Sequence, residues 1–248
     1  MKALALDSSS AAITYASINT DGTECSKTAL LTLDIGMHQS EKLIQGIDSV
    51  LEHCGLSAAE LDFTALCAGP GTFTGLRLAF SALKALNLAY GIPTYAIPTL
   101  EAIAYQYRQW RGAVIPVLDA KKQSFYAAVY RYGELHAGPF DACVKTVLDH
   151  TDPEEHILAA GADAPYFAEQ ARAISPERHI STFVPFGDSA LLPTGGACRA
   201  YSTALSLLEL AAKKFAAKEK PLAEYEGPFY IRKSEAELSL AEQTGKHT

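Results

Sequence analysis

The chain has few of the residues that build disulfide frameworks or metal clusters. Its 248 residues include five cysteines, no two of which form a C-x-x-C pair: Cys25, Cys54, Cys67, Cys143 and Cys198. An odd and scattered set of cysteines argues against a disulfide scaffold and against a cysteine-built zinc site. We expect most of them to be small buried hydrophobic side chains in a protein of a reducing compartment.

Long apolar runs and an excess of positive charge are also missing. No stretch approaches the roughly 20 apolar residues that a membrane-spanning helix needs, and the first residues lead straight into a strand without the regions of a signal peptide. The 21 basic and 28 acidic residues give a formal net charge of -7. This acidic balance argues against an extended nucleic-acid-binding surface, because phosphate binding needs clustered Lys and Arg. We therefore expect a soluble, cytoplasmic protein without membrane contact.

The most distinctive stretch runs from residue 63 to residue 90. Phe63–Ala68 is a short apolar run typical of a buried strand. It is followed by the glycine-rich turn Gly69–Gly75 and by Leu76–Tyr90, which consists mostly of helix-forming residues and stops at Gly91. Three glycines and a proline within the turn fix a tight backbone path and leave amide groups free at a helix N-terminus.

The predicted Leu76–Tyr90 helix has a single narrow polar stripe. The stripe consists of Arg77, Ser81, Lys84 and Asn87, and the rest of the helix is apolar. A surface helix needs an apolar arc only on its core side. We therefore expect this helix to be covered on more than one side, either by a second layer of its own domain or by a partner.

The strand and helix patterns occur in the same order twice. In the first half we predict Lys2–Leu6, Ala11–Ile18 and Thr23–Leu33 as strands, a helix from His38 to Gly55, the strand Phe63–Ala68, the helix Leu76–Tyr90, the strand Thr94–Ile97 and a helix from Leu100 to Trp110 with Thr99 as N-cap. In the second half we predict strands over Ala113–Leu118, Gln123–Arg131 and a stretch after Glu134, no clear helix, the strand Ile157–Ala160, the helix Pro165–Ala173, the strand His179–Val184 and the helix Ala197–Ala217.

This repeat predicts an α/β fold of two tandem βββαβαβα domains, with mixed central sheets flanked by helices. That topology is the actin-like or ribonuclease H-like fold. We expect one domain over residues 1–111 and a second over residues 112–248, with a disordered tail over residues 235–248.

Four short segments carry a recognisable family pattern. They are Leu4-Ala5-Leu6-Asp7-Ser8-Ser9, Gly69-Pro70-Gly71-Thr72-Phe73-Thr74-Gly75-Leu76-Arg77, Leu118-Asp119-Ala120-Lys121 and Pro228-Phe229-Tyr230-Ile231-Arg232. Together they resemble the TsaB family, also called YeaZ, of the glycoprotease-like, actin-like (ASKHA) superfamily. We expect the residues of the second segment to form a structural loop, with Arg77 as its anchor.

The resemblance implies a role in tRNA modification. TsaB-like proteins have no established chemistry of their own. They bind the catalytic subunit TsaD and, with the ATPase TsaE, support threonylcarbamoyl transfer to tRNA adenosine 37, which yields N6-threonylcarbamoyladenosine. The resemblance thus implies a non-catalytic scaffold or activator that uses tRNA only indirectly. We assign no catalytic residue. Ser8, Ser9 and Ser10 have no histidine signalled beside them, and Cys67 lies near the end of a predicted buried strand, which suits packing better than thiolate chemistry.

In the TsaB family the first two helices contact TsaD and, in the protein alone, pair with a second copy in a homodimer. The matching residues here are Leu43, Ile44, Ile47, Val50, Leu51 and Cys54 on the first helix, and Phe80, Leu83, Lys84 and Asn87 on the second. Two such helices from each chain would build a four-helix seam. The alternative is that both apolar stripes cover their own sheet.

A metal-dependent, glycoprotease-like hydrolase is the less favoured alternative. The catalytic relatives carry His-x-x-x-His on the helix after the meander, where this chain has His38-Gln39-Ser40-Glu41-Lys42. A protonated lysine is a poor metal donor. We therefore expect no metal site.

A nucleotide-binding, phosphotransferase-like protein is the main alternative. Kinases with the actin fold bind phosphates with two turns, each of which follows a strand. The matching turns here begin at Asp7-Ser8 and at Asp119, and neither has the glycine that lets a phosphate approach the backbone. Gly195-Gly196 is a weak adenosine-site signal, and the Gly69–Gly75 loop lacks the lysine of a Walker A motif. We expect no required cofactor, and ATP or ADP to bind only weakly or at the junction with the partner.

Overall fold

The computed structural model describes residues 1–20, 26–183 and 203–232. The first series of elements comprises β1 (Lys2–Asp7), β2 (Ala12–Asn19), β3 (Lys27–Asp34), α1 (Gln39–Cys54), β4 (Phe63–Gly69), α2 (Phe73–Tyr90), β5 (Thr94–Pro98) and α3 (Thr99–Tyr105). The second comprises β6 (Ala113–Asp119), β7 (Phe125–Arg131), β8 (Glu134–Ala142), α4 (Val144–Leu148), β9 (Ile157–Ala160), α5 (Ala164–Ile174), β10 (Ile180–Thr182) and α6 (Ala204–Ala216).

Each series forms a five-stranded mixed sheet with the same strand order. The orders are β3-β2-β1-β4-β5 and β8-β7-β6-β9-β10. In both sheets the first three strands form an antiparallel meander, and the last two strands join in parallel. The duplicated topology confirms the predicted α/β fold of two tandem actin-like or ribonuclease H-like units.

Strand β1 shows how one sheet serves two cores. Leu4 and Leu6 belong to the cluster under α1 and α2, whereas Ala3 and Ala5 belong to the cluster under α6. Successive side chains of a strand point to opposite faces of the sheet. All four are fully buried, so the apolar run at the start of the chain is that of a central strand covered on both sides.

The last helix of each series packs across the boundary between the two halves. Helix α6 lies on the first sheet, where Leu207 shares a cluster with Phe63, and Leu100 of α3 shares a cluster with Val114 of the second sheet. Assigning the end of residues 112–248 to the second domain is therefore wrong for α6. An apolar stripe indicates that a helix is buried, but it does not indicate which sheet the helix covers.

Helix α3 and the segment before β9 also differ from the predictions. Helix α3 ends at Tyr105, well before Trp110, and Thr99 is its first helical residue instead of its N-cap. The Thr99 hydroxyl accepts a hydrogen bond from the backbone N–H of Gly69 at 3.2 Å. The short helix α4 occupies the place where the sequence showed no clear helix.

Some predictions fall outside the described residues. They concern the strand start at Thr23, the strand end at Val184, the helix start at Ala197, Cys25, Cys198 and the tail over residues 235–248. Of the other cysteines, Cys54 and Cys67 are buried as expected, whereas Cys143 is exposed because it stands between the edge strand β8 and α4. Within the described ranges, no helix has the length and apolar composition needed to cross a bilayer.

Candidate functional site

A cleft of about 560 Å³ opens between the two halves at the carboxyl ends of their parallel strands. Strands β1, β4, β6 and β9 lead into the loops that line it. Its polar lining includes Ser9, Ser10, Thr72, Lys121, Lys122 and Asp163. Ligands of open α/β sheets bind at this end of the strands, so this cleft is the candidate small-molecule site.

Asp7, one predicted nucleotide-site residue, is buried beside the cleft and does not line it. One carboxylate oxygen accepts a hydrogen bond from the backbone N–H of Ser9 at 2.8 Å. The other accepts a short hydrogen bond from the hydroxyl of Thr203, directly before α6. Asp7 therefore caps its own turn and ties β1 to α6. Burial, and then the charge of Asp7, raise the pKa of the Cys67 thiol, which suits a packed, unreactive cysteine.

Asp119 makes the equivalent turn at the end of β6. Its Oδ1 accepts a hydrogen bond from the backbone N–H of Lys121 at 2.7 Å, and its Oδ2 accepts one from Lys121 Nζ at 2.6 Å. Burial raises the pKa of Asp119, but the hydrogen bonds and charge of Lys121 outweigh it and hold the pKa below its ordinary value. The carboxylate is thus ionised at neutral pH and bound to its own turn. The backbone N–H of Asp119 also donates to Asp163 at 2.9 Å.

The other nucleotide-site candidates are also accounted for. Ser8 is buried, and its hydroxyl donates a hydrogen bond to the carbonyl oxygen of Gly75 at 2.7 Å. Gly195 and Gly196 lie outside the described residues. Of the predicted candidates that the structure describes, only Asp119 lines the cleft.

The histidine and lysine of the metallopeptidase alternative have partners on the surface of α1. His38 Nδ1 lies 3.0 Å from Glu41 Oε1, and Lys42 Nζ donates to Gln45 Oε1 at 3.0 Å. No group of three or more His, Cys, Asp or Glu that could hold a metal ion occurs within residues 1–20, 26–183 and 203–232.

The loop that joins β4 to α2 is held by close backbone contacts. Gly69 has a φ of +115°, and a Cβ at this position would meet the carbonyl oxygen of Phe229. A Cβ at Gly71 would lie 2.7 Å from the carbonyl oxygen of Ser9, which accepts a hydrogen bond from the backbone N–H of Thr72 at 2.7 Å. Glycine is therefore required for space at both positions.

Helix α2 begins at Phe73 and not at Leu76, so Gly75 lies in its first turn. A Cβ at Gly75 would meet the carbonyl oxygen of Ser8. The loop prediction was too long because this glycine is required by the close approach of Ser8, after β1, and not by the loop itself. Within the same segment Pro70 is buried and Thr74 is exposed.

Arg77 joins the loop to the C-terminal part of the chain. Its guanidinium carbon lies 3.8 Å from the centroid of the Phe73 ring, and its Nε donates to the Tyr230 hydroxyl at 3.3 Å. The rings of Phe73 and Tyr230 lie 5.4 Å apart. These contacts suit the predicted anchor role.

Arg232 is a residue of the cleft that sequence reasoning did not single out. Its Nε and one terminal nitrogen donate to the two carboxylate oxygens of Asp141, both at 2.8 Å. Its other terminal nitrogen donates to the carbonyl oxygen of Ala120 at 2.9 Å. Such bidentate pairs are among the stronger hydrogen-bonded contacts in proteins. The available signal was the position of Arg232 at the end of the Pro228–Arg232 motif.

Seven of the ten predicted interface residues are core residues of the first half. Leu43, Ile47, Val50, Leu51, Cys54, Phe80 and Leu83 are each at most 5% exposed and pack in the cluster of the first sheet. In this fold these seven side chains are therefore not accessible to a partner. Both helices use these residues to cover their own sheet, as the alternative stated.

The other three predicted interface residues lie at the surface. Ile44 is 57% exposed. Lys84 Nζ donates to two backbone carbonyls of residues 219–232, at 2.5 Å each, and Asn87 Nδ2 donates to the carbonyl oxygen of Ile92 at 2.7 Å. The C-terminal part of the chain thus supplies part of the second cover expected for α2.

Four large apolar side chains are exposed on α1 and α2, and we call them the outer apolar residues: Ile44, Phe73, Leu88 and Tyr90. Leu88 is 88% exposed. We expected this helix to be covered on more than one side, but its almost wholly apolar sequence does not indicate which side faces solvent.

Comparisons with known proteins place the chain in a family. A family model described as TsaD, tRNA N6-adenosine threonylcarbamoyltransferase, matches residues 35–239. An uncharacterized protein of Mycobacterium leprae is 35% identical over 160 residues, which cover 64% of this chain and 42% of that protein. The tRNA threonylcarbamoyladenosine biosynthesis protein TsaB of Bacillus subtilis is 28% identical over 95 residues, 38% of this chain and 42% of that protein. The matches thus span about two fifths of the length of these two curated relatives.

A solved structure from Pseudomonas aeruginosa, described as an uncharacterized protein with similarity to peptidase YEAZ, has a TM-score of 0.68 and 25% identity. The match covers 93% of this chain and 99% of that one. The fold, the four segment motifs and the family model agree. The chain belongs to the TsaB (YeaZ) family of TsaD-like proteins.

Proposed function

We propose that this chain is a non-catalytic scaffold or activator subunit in the synthesis of N6-threonylcarbamoyladenosine. In this role it binds a TsaD-like catalytic chain and, together with a TsaE-like ATPase, supports threonylcarbamoyl transfer to tRNA adenosine 37. The relatives in Bacillus subtilis and Escherichia coli bear the name tRNA threonylcarbamoyladenosine biosynthesis protein TsaB.

The observation that carries the non-catalytic role is the engagement of both strand-end aspartates. Asp7 is buried and bound by Ser9 and Thr203, and Asp119 is bound twice by Lys121. Carboxylates at these strand ends are the groups that would hold Mg²⁺ for phosphoryl transfer. Here they hold the protein's own turns, which favours a supporting over a catalytic role.

The outer apolar residues support a contact with a second protein chain. Leu88 and Ile44 expose most of their side chains on the two helices that the family resemblance assigns to the TsaD contact. Burying such side chains against a partner is favourable. In the absence of TsaD we propose that the same residues pair two copies of this chain as a homodimer. With a net charge of -7, the chain would use tRNA only through its partner.

The test is size-exclusion chromatography with light scattering, on the chain alone and mixed with the TsaD-like protein of the same host. We expect a homodimer that gives way to a heteromeric complex. The double variant Ile44→Glu/Leu88→Glu should abolish both. Ile174→Glu is the matched control, because Ile174 is 51% exposed on α5 of the other half and should leave both assemblies intact. A chain that never associates with the TsaD-like protein would contradict the proposal.

The cleft favours nucleotide binding as a second candidate function. Its lining combines the hydroxyl residues Ser9, Ser10 and Thr72 with the amino group of Lys122. These groups suit a phosphate. We propose that ATP or ADP binds only weakly to the isolated chain or at the junction with TsaD, and that this subunit requires no cofactor. Calorimetric titration with ATP and ADP, with and without the TsaD-like chain, tests this. Turnover of ATP by the isolated chain would instead favour a phosphotransferase.

A further inference from the structure

A second cavity of about 470 Å³ lies between the two halves, apart from the cleft. Its apolar wall comes from β4, α3, β7, β8 and the C-terminal part of the chain, and includes Pro70, Leu100, Ala128, Leu135 and Phe229. None of its lining residues lines the cleft that contains Asp119. The volume is that of a site for a small molecule.

Two polar side chains enter this apolar cavity, Glu101 from α3 and Tyr130 from β7. Leu100 and Ala128, which line the same wall, are almost fully buried, as is Tyr130. No residue within the described ranges donates a hydrogen bond to the Glu101 carboxylate. A half-buried carboxylate on an apolar wall is unfavourable unless a cation or a donor compensates it.

The charges around Glu101 leave that compensation incomplete. Burial and the charge of Glu219 raise the pKa of the Glu101 carboxyl, with burial as the larger cause. The charges of Lys214 and Lys213 lower this pKa, but it stays above its ordinary value. Burial, and then the charge of Glu101, raise the pKa of Tyr130. The cavity thus disfavours a second negative charge and favours a positive one.

We propose that this cavity binds a small primary amine with an apolar body. The ammonium group pairs with the Glu101 carboxylate, and the aromatic side chain of Tyr130, which also lines the cavity, offers a second favourable contact for a cation. The apolar body lies among Leu100, Leu135 and Phe229. A carboxylic acid or a phosphate would be repelled, because Glu101 is the one charged residue among the described residues that line the cavity. This site is separate from the outer apolar residues, so it does not depend on the proposed function.

The test compares phenethylamine with 2-phenylethanol, which has the same body and a hydroxyl in place of the amine. Each is titrated into the full chain at pH 7.5 and followed by calorimetry and by NMR shifts of residues around the cavity. We expect the amine to bind at least about tenfold more tightly, since hydrogen bonds to a charged group are stronger than neutral ones.

Two variants assign the preference to the cavity. Glu101→Gln keeps the shape of the side chain and should make the two probes bind equally. Glu134→Gln is the matched control, because Glu134 is an exposed carboxylate on β8 that does not line the cavity, and it should keep the preference. Circular dichroism verifies that both variants fold.

Three results would overturn the proposal. They are an amine that shows no saturable binding, an alcohol that binds as tightly as the amine, or a preference that survives Glu101→Gln. Leu135→Trp gives an independent control. Leu135 is 53% exposed at the edge of the cavity, and the larger ring should weaken both probes by about tenfold or more. Unchanged binding in this variant would place the probes elsewhere.

Discussion

Ile44 and Ile47 lie one turn apart on α1 and have opposite environments. Ile44 is 57% exposed, whereas Ile47 is 4% exposed and shares a cluster with Leu4 and Leu6. Both belong to one apolar stripe of the sequence. The spacing of apolar residues indicates which side of the helix faces the core. It does not indicate which residues at the border of that side are buried, because this depends on how closely the helix packs on the sheet.

We expect Ile47→Glu to destabilise the fold by about 3 kcal/mol or more, because it places a carboxylate in a closed apolar cluster. Ile44→Glu should change the free energy of unfolding by no more than about 0.5 kcal/mol, because its side chain extends into water. Urea unfolding of the isolated chain at pH 7 measures both, at a protein concentration low enough that the proposed homodimer is dissociated. Equal effects of the two substitutions would show that α1 is placed wrongly on its sheet.

The ion pair between Arg131 and Glu155 predicts a pH dependence of stability. Arg131 donates to both carboxylate oxygens, at 2.7 and 2.6 Å, and its hydrogen bonds lower the pKa of Glu155 below the ordinary value of 4.5. A carboxyl whose pKa is lower in the folded state stabilises the fold above its unfolded pKa, and this contribution disappears as the pH falls through the folded value.

Glu155→Gln should therefore cost about 1.5–3 kcal/mol at pH 7. The difference from the native chain should shrink as the pH is lowered below about 4.5. Urea unfolding of both proteins between pH 7 and pH 3 measures this difference. A difference that stays constant over the range would mean that Glu155 acts through packing and not through its charge.

At the scale of elements, the turn after β1 lies in close contact with the first turn of α2. Ser8 donates to the carbonyl oxygen of Gly75, and a Cβ at Gly75 would meet the Ser8 carbonyl and lie 3.0 Å from Gln39 Oε1. Gly75→Ala should thus destabilise the fold by about 1–3 kcal/mol. Gly227→Ala is the control: a Cβ there meets no atom within 4 Å, so the change should stay within about 0.5 kcal/mol. Thermal unfolding compares the two, and a neutral Gly75→Ala would contradict the close approach.

The order of the elements could be predicted from sequence because its signals are local. Apolar periodicity marked the strands and helices, and Gly55 and Gly91 were correctly predicted as helix ends; both adopt the left-handed conformation there. The packing partner of α6 could not be predicted. It depends on tertiary contacts such as Thr203 with Asp7, which are 196 residues apart in the chain.

The candidate site shows the same division between local and distant signals. Asp7 and Asp119 were placed correctly at strand ends, since each is followed by its own turn. The hydrogen bonds of Asp7 with Thr203 and of Asp119 with Lys121 could not be predicted from sequence, and neither could the ion pair of Arg232 with Asp141. Sequence reasoning therefore identified the loops that line the cleft but not the side-chain contacts between them.

At the scale of the whole molecule, residues 219–232 connect the two halves. The backbone N–H of Leu222 donates to the carbonyl oxygen of Thr94 at 2.7 Å, and that of Phe229 donates to Ala68 at 2.6 Å. The segment ends with Arg232 bound to Asp141 of the other half. Phe229 lines the cavity of about 470 Å³, and Arg232 lines the cleft. The segment therefore links the shape of both sites to the arrangement of the two sheets.

Arg232→Gln should release the end of this segment while leaving its beginning in place. Loss of a bidentate charged contact removes about 1.5–3 kcal/mol of local stabilisation, so the Phe229 amide should exchange with solvent more than about tenfold faster. The Leu222 amide is an internal control, because its hydrogen bond lies near the start of the segment, and its exchange should be unchanged. Arg111→Gln, an exposed arginine between α3 and β6, controls for the loss of charge. If both amides accelerate together in Arg232→Gln, the whole segment opens as one unit and Arg232 holds all of it; if neither does, the Phe229 contact with Ala68 holds the segment without help from the arginine.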